Sequence, residues 1–174
     1  MELLQEKSVC GICQKPKATL VCAMCQHPVC KRCRQVLEKD SFHFMPTIPV
    51  EFTHRNYCGL CYDAQVAPAL ETYHSTLWHA RSVFIFDRRK GEQTRLMRRS
   101  EKPLRIEDGT DRSETLLRLA FLAAKAEFNA LIDVEISAEK VRNSGYQTSR
   151  WSASGIPTKV DADKLNREDA LGWS

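Results

Sequence analysis

Apolar residues are sparse over the first third of the chain and dense and periodic over the rest. Leu20, Val21, Val29, Val36 and Leu37 stand almost singly among polar neighbours, too few to bury a self-sufficient core. Further on, Phe42, Phe44, Ile48, Val50 and Phe52 alternate with other residues between prolines, which predicts a β-hairpin or loop. Phe42, Phe44 and Met45 are its candidates for packing or for an exposed partner patch. Val66, Leu70, Tyr73 and Leu77 recur at spacings of three or four, which predicts a helix over 66–80 with Pro68 in its first turn. The run Ser82–Asp87 reads as a buried strand, with a Gly91 turn and a second strand over 92–99 completing a hairpin. From Asp111 the pattern becomes helical, with the capping spacing Asp111 to Glu114 and the stripe Leu117, Phe121, Ala124 and Phe128. Two strands follow, 130–137 and 146–160, around a polar loop at Asn143, Ser144 and Gly145.

The cysteines explain how so apolar-poor a first third can fold. All eight lie before residue 62, as four C-x-x-C pairs: Cys10/Cys13, Cys22/Cys25, Cys30/Cys33 and Cys58/Cys61. Two cysteines at this spacing aim both thiolates at one ion, and tetrahedral zinc takes two such pairs, so four pairs predict two structural Zn2+ ions. Four thiolates leave no open position for a catalytic water. Consecutive pairs would make two separate ribbons and alternate pairs an interleaved cross-brace. The short link from Cys25 to Cys30 favours the cross-brace, with Cys10, Cys13, Cys30 and Cys33 at one ion and Cys22, Cys25, Cys58 and Cys61 at the other.

The order and spacing of the pairs, with the closing R-N-Y-C-G-L-C-Y at Arg55–Tyr62, resemble the FYVE zinc fingers. The resemblance covers residues 10 to about 75 and implies a treble-clef fold. It does not carry over the lipid ligand, because the basic motif around the third cysteine and the preceding W-x-x-D are missing: Ala-Thr-Leu-Val precedes Cys22 and Ala23 follows it. A second resemblance lies in C-Q-H-P-V-C-K-R-C, Cys25–Cys33, which looks like the centre of a RING finger. It implies ubiquitin ligation and makes His27 a ligand in place of Cys22. His43, His54, His74 and His79 read as surface or packed residues.

The helix at 111 and the two strands after it, closing in W-S-A-S-G-I-P-T-K-V, resemble the small bacterial YbjQ family over about 111–160. That resemblance implies an α+β fold and assembly into oligomers; the soft-metal binding attached to the family has no ligands here, since no cysteine or histidine follows His79. The expected organisation is α+β throughout: a small dual-zinc treble-clef module at 1–65, a linking helix at 66–80, a β-β-α-β-β sandwich at 81–160 and a polar tail at 161–174 in which Trp173 can dock.

Charge adds one feature. The formal net charge is +4, and Arg88, Arg89, Lys90, Arg95, Arg98, Arg99, Lys102 and Arg105 crowd one stretch in which Glu92 and Glu101 are the only acids. Such a run is either a solvated face or an anion-binding one for nucleic acid or anionic lipid. The start carries no basic region leading into a long apolar run, and nothing later reaches the ~20 apolar residues of a membrane span. A cytoplasmic location is therefore expected, with export lacking a signal peptide as the exception. No nucleophile is paired with a base, so the leading reading is a non-enzymatic zinc-binding interaction or adaptor protein with a protein partner.

Overall fold

The computed structural model describes residues 8–16, 18–91, 94–143 and 146–161. The chain divides into two compact units, Met1–His74 and Ser75–Ser174. The division falls inside the helix expected to link the units, not at its end near residue 80.

The first unit has little regular structure. β1 (Leu20–Val21) pairs antiparallel with β2 (Pro28–Val29), and β3 (Arg34–Val36) with β4 (Asn56–Cys58) in the register Arg34↔Cys58. The alternating residues 42–52 do not form strands; the paired strands lie at the ends of this excursion, and turns and a 3-10 helix, Val50–Phe52, fill its middle. Aromatic packing decides this. Phe42 is buried, stacked on Phe52 at 5.1 Å and edge-on to Tyr73 at 5.4 Å, and the Phe44 amide donates to the Tyr73 hydroxyl at 3.3 Å. Tyr57 is fully buried, and its hydroxyl donates to the carbonyls of Glu51 at 2.6 Å and His54 at 3.0 Å. A buried phenol needs such partners, and these fasten the excursion to β4.

Helix begins immediately after β4: α1 (Gly59–Cys61), a π-helical turn (Tyr62–Val66), then α2 (Ala67–Ala80). Pro68 is therefore well inside the helical run, not in its first turn. Proline has no N–H and its ring collides with the carbonyl four residues back; the wider turn just before it, where the Ala67 amide reaches the Tyr62 carbonyl, makes room. Val66 and Tyr73 are buried and Leu70 and Leu77 half-buried, the predicted stripe.

The second unit contains β5 (Phe84–Asp87), β6 (Leu104–Gly109), α3 (Arg112–Lys125), β7 (Ala130–Asn143) and β8 (Tyr146–Thr158). Strand, strand, helix, strand, strand is the predicted order, but the second strand is Leu104–Gly109; of the expected strand over 92–99, residues 94–99 form a turn and irregular chain, and Glu92 and Gln93 lie outside the described residues. The expected β5–β6 hairpin is also absent: the sheet order is β5-β7-β8-β6, with β5 parallel to β7. A Gly91 turn fits a hairpin locally, yet Phe84 and Phe86 are better buried beside β7, and a parallel partner requires the crossover that β6 and α3 supply. The polar tail and Trp173 lie outside the described residues, as do Ser144 and Gly145.

Helix α3 starts as predicted: the Asp111 side chain accepts from the Glu114 amide at 2.8 Å, and the Glu114 carboxylate returns to the Thr110 amide at 3.3 Å. Its buried side is Thr115, Leu116, Leu119, Ala120, Phe121 and Ala123; Leu117, Ala124 and Phe128 are only half-buried. The helix is apolar nearly all round, so periodicity alone did not single out the face.

In β7 the register against β8 shifts between Ile132 and Glu135, and Asp133 takes φ 52°. This bulge places Leu131 and Val134, three apart, on the α3 side, where a Cβ on Gly155 would lie 2.9 Å from Val134 Cγ2 and 3.5 Å from Leu119 and Leu131. By strand alternation Ala130, Ile132 and Ile156 face the opposite side. They pack there with Phe84, Phe86, Met97 and Val160, so part of the sheet is covered on both faces.

Candidate metal centres

The eight cysteines gather into two groups of four, Cys10, Cys13, Cys30 and Cys33, and Cys22, Cys25, Cys58 and Cys61, with all ligand atoms of each group within 4.8 Å of one another. This is the interleaved pairing. Cys13 Sγ lies 3.8 Å from Cys30 Sγ, and Cys25 Sγ 3.8 Å from Cys58 Sγ. A tetrahedron of ~2.3 Å zinc–sulfur bonds has edges of about 3.8 Å, whereas a disulfide needs ~2.05 Å. Each group can hold a metal ion, as two structural zinc sites require. Among the described residues no other cysteine, histidine, aspartate and glutamate group does so.

Local backbone builds the clusters. In the first knuckle the Cys10 amide donates to Lys15 O at 3.0 Å and the Gln14 amide to Cys10 O at 3.0 Å; in the second, the Cys22 amide donates to His27 O and the Gln26 amide to Cys22 O, both at 3.0 Å. Gln14 has φ 58° and Gln26 φ 59°, the left-handed conformation that lets the chain turn back under the metal. Both side chains stay local, Gln14 Nε2 donating to Gly11 O at 3.4 Å and Gln26 Nε2 to Ala23 O at 2.9 Å. The flanking bridges match too, Val9 with Pro16 and Val21 with Pro28. The knuckles are thus one structure used twice, and the signal was in the sequence as V-C-x-x-C-Q-x-P at 9–16 and again at 21–28.

The other two pairs sit at the ends of one hairpin. Cys30 and Cys33 precede β3, the Cys33 and Arg34 amides both turning back to Cys30 O. Cys58 ends β4 and caps α1, which carries Cys61. Arg34↔Cys58 pairing therefore fixes the third pair beside the fourth although they serve different clusters. Knuckle two joins the same hairpin through the Ala23 amide and Asn56 O at 3.0 Å.

The thiols show why a cation belongs here. Backbone N–H groups, that of Cys13 foremost, hold the Cys10 thiol down to about 6. Burial pushes Cys22 upward, but the amides of Cys58, Cys25 and Met24 outweigh it and leave it also at about 6. In the same clusters Cys33 is pushed up to about 12 by hydrogen bonds from Cys30 and Cys13, and Cys61 to about 12 by burial and by Cys58. Cys30 is lowered too, chiefly by the Cys33 amide, so in each cluster some sulfurs ionise readily and others then resist. Four thiolates need the compensating charge of a bound metal, whose uptake releases protons.

Cys22 belongs to its cluster, and His27 is exposed outside both, which removes the ligand set of the RING-like reading. His43, His54, His74 and His79 are exposed and belong to neither cluster. Of the basic run, Arg88 pairs with Glu135, and Arg99 grips Asp133 at 2.7 and 3.3 Å while donating to Thr94 O and Met97 O.

One apolar surface went unread in the sequence. A cavity of about 290 Å3 is lined by Gly11, Ile12, His27, Pro28 and Leu60 with Cys25, Cys58 and Cys61 of the second cluster. Ile12 is 44% and Leu60 75% exposed. The middle residues of two C-x-x-C pairs face outward because their cysteines face the metal.

No protein-family description, no curated protein and no solved structure matches this chain.

Proposed function

We propose that this protein is a non-enzymatic interaction module whose first unit is held in shape by two zinc ions and docks a protein partner at the cleft between Ile12 and Leu60. The observation that carries this reading is the cleft itself. Its apolar side chains stand on knuckles that the metal clusters fix, so the surface is preorganised and little entropy is lost on binding. Four-thiolate sites of this kind supply shape and no open coordination position. The FYVE resemblance supports the treble-clef scaffold, without its lipid ligand. Reduced thiols point to a cytoplasmic setting; among the described residues no helix is long and apolar enough to cross a membrane.

The test is affinity capture from the native host with the zinc-loaded full chain as bait, compared with an Ile12→Asp/Leu60→Asp variant. Both positions are exposed, so the variant should retain two zinc ions by elemental analysis and lose the captured partner. Retention of the same partner would show that the cleft is not the docking site. Ubiquitin transfer in a reconstituted assay with conjugating enzymes would replace the non-enzymatic reading by the ligase one.

A further inference from the structure

The second unit carries a surface that the zinc clusters do not use. Arg88 and Arg99 are committed within the fold, to Glu135 and Asp133. Arg95, Arg98 and Lys102 are exposed, and among the described residues no carboxylate pairs with them. Between the two arginines stands Leu96, 98% exposed. A single exposed leucine is ordinary on a protein surface; its setting here is not. The turn is held from within by Thr94, which is wholly buried and accepts from the Met97 amide at 3.0 Å. Met97 packs on the Phe86, Ala130 and Ile132 cluster, and Arg99 donates to the carbonyls of Thr94 and Met97. Its neighbours anchored inward, Leu96 is held out at the tip with a cation on either side in sequence.

We propose that the turn 94–99 is a tip that enters an anionic lipid surface, Leu96 reaching the acyl boundary while Arg95 and Arg98 meet acidic headgroups. Apolar burial together with attraction to anionic lipid is what holds a segment at an interface. Nucleic acid fits less well, because single strands stack on aromatic rings and none lies in the run Arg88–Arg105. A folded protein partner fits less well too, because a specific interface needs about 1,000 Å2 of complementary surface, whereas a deformable bilayer admits one protruding side chain.

The experiment is sedimentation of the zinc-loaded full chain with vesicles of phosphatidylcholine alone or mixed with phosphatidylserine. Binding is expected only to the mixed vesicles and should fall as salt rises. Leu96→Ala should weaken it about tenfold, from the buried methyl and methylene groups lost, and Arg95→Gln or Arg98→Gln about fivefold each. A Leu96→Trp variant should bind and gain fluorescence quenching by lipids brominated in the acyl chain. Replacing phosphatidylserine by phosphatidylinositol 3-phosphate at equal charge should change little. The Ile12→Asp/Leu60→Asp variant should bind vesicles like the parent, which separates this surface from the cleft. No binding, binding indifferent to Leu96→Ala or to both arginine changes, or loss of binding in the cleft variant would each overturn the proposal.

Discussion

The two units solve the same problem with different means. In the second, the wholly buried side chains include Leu119, Phe121, Leu131 and Ile132, and apolar residues meet on both faces of the sheet. In the first, the most buried residues include Cys10, Cys22 and Cys58, with Val29, Leu37, Phe42 and Tyr57 dispersed among them. Hydrophobic burial scales with area, and a chain this short with so few apolar residues cannot supply enough; metal–thiolate bonding takes over. One unit should depend on solution metal and be nearly indifferent to a lost methylene. The other should be the reverse.

The largest effect should come from removing the metal. Structural zinc contributes roughly 10–16 kcal/mol of apparent binding free energy in small fingers, so a strong chelator should unfold the first unit and leave the β-sheet signal of the second, read by circular dichroism and by zinc release. Cys22→Ala should lose one ion per chain, whereas His27→Ala should keep both. Loss of both units together would show that their folding is one event. A fragment beginning at Ser75 should then be folded and metal-free.

In the second unit, Leu119→Ala should cost about 2–5 kcal/mol, measured in urea on the transition that survives chelation, with zinc content unchanged. A cost well below ~2 kcal/mol would mean that the sheet–helix core is looser than its burial suggests. Gly155→Leu is smaller in expectation, about 1–3 kcal/mol, because a side chain there must displace Val134, Leu119 and Leu131. The smallest change is Asp111→Ala, about 1 kcal/mol from the lost α3 cap; the zinc unit, lacking any such cap in this helix, should not respond.

The parts of this fold that were legible beforehand rest on short-range chemistry. C-x-x-C spacing reports two thiolates on one knuckle, and the four-residue link from Cys25 to Cys30 was short enough to favour the pairing seen. The Asp111 to Glu114 spacing reports its cap for the same reason: the partners are three residues apart. Even the repeated V-C-x-x-C-Q-x-P was open to view. Tertiary structure alone decided the rest. Whether Phe84–Asp87 pairs with the strand that follows or with β7 some 45 residues on depends on which neighbour buries Phe86, and local sequence is silent on that. The bulge at Asp133, the buried side of an all-round apolar α3, and the outward stance of Leu96 follow likewise from packing between distant segments. Backbone turns and the two thiolates of each knuckle are settled within a few bonds of the chain; faces, registers and the meeting of Cys25 with Cys58, 33 residues on, are settled by what the chain meets when it returns.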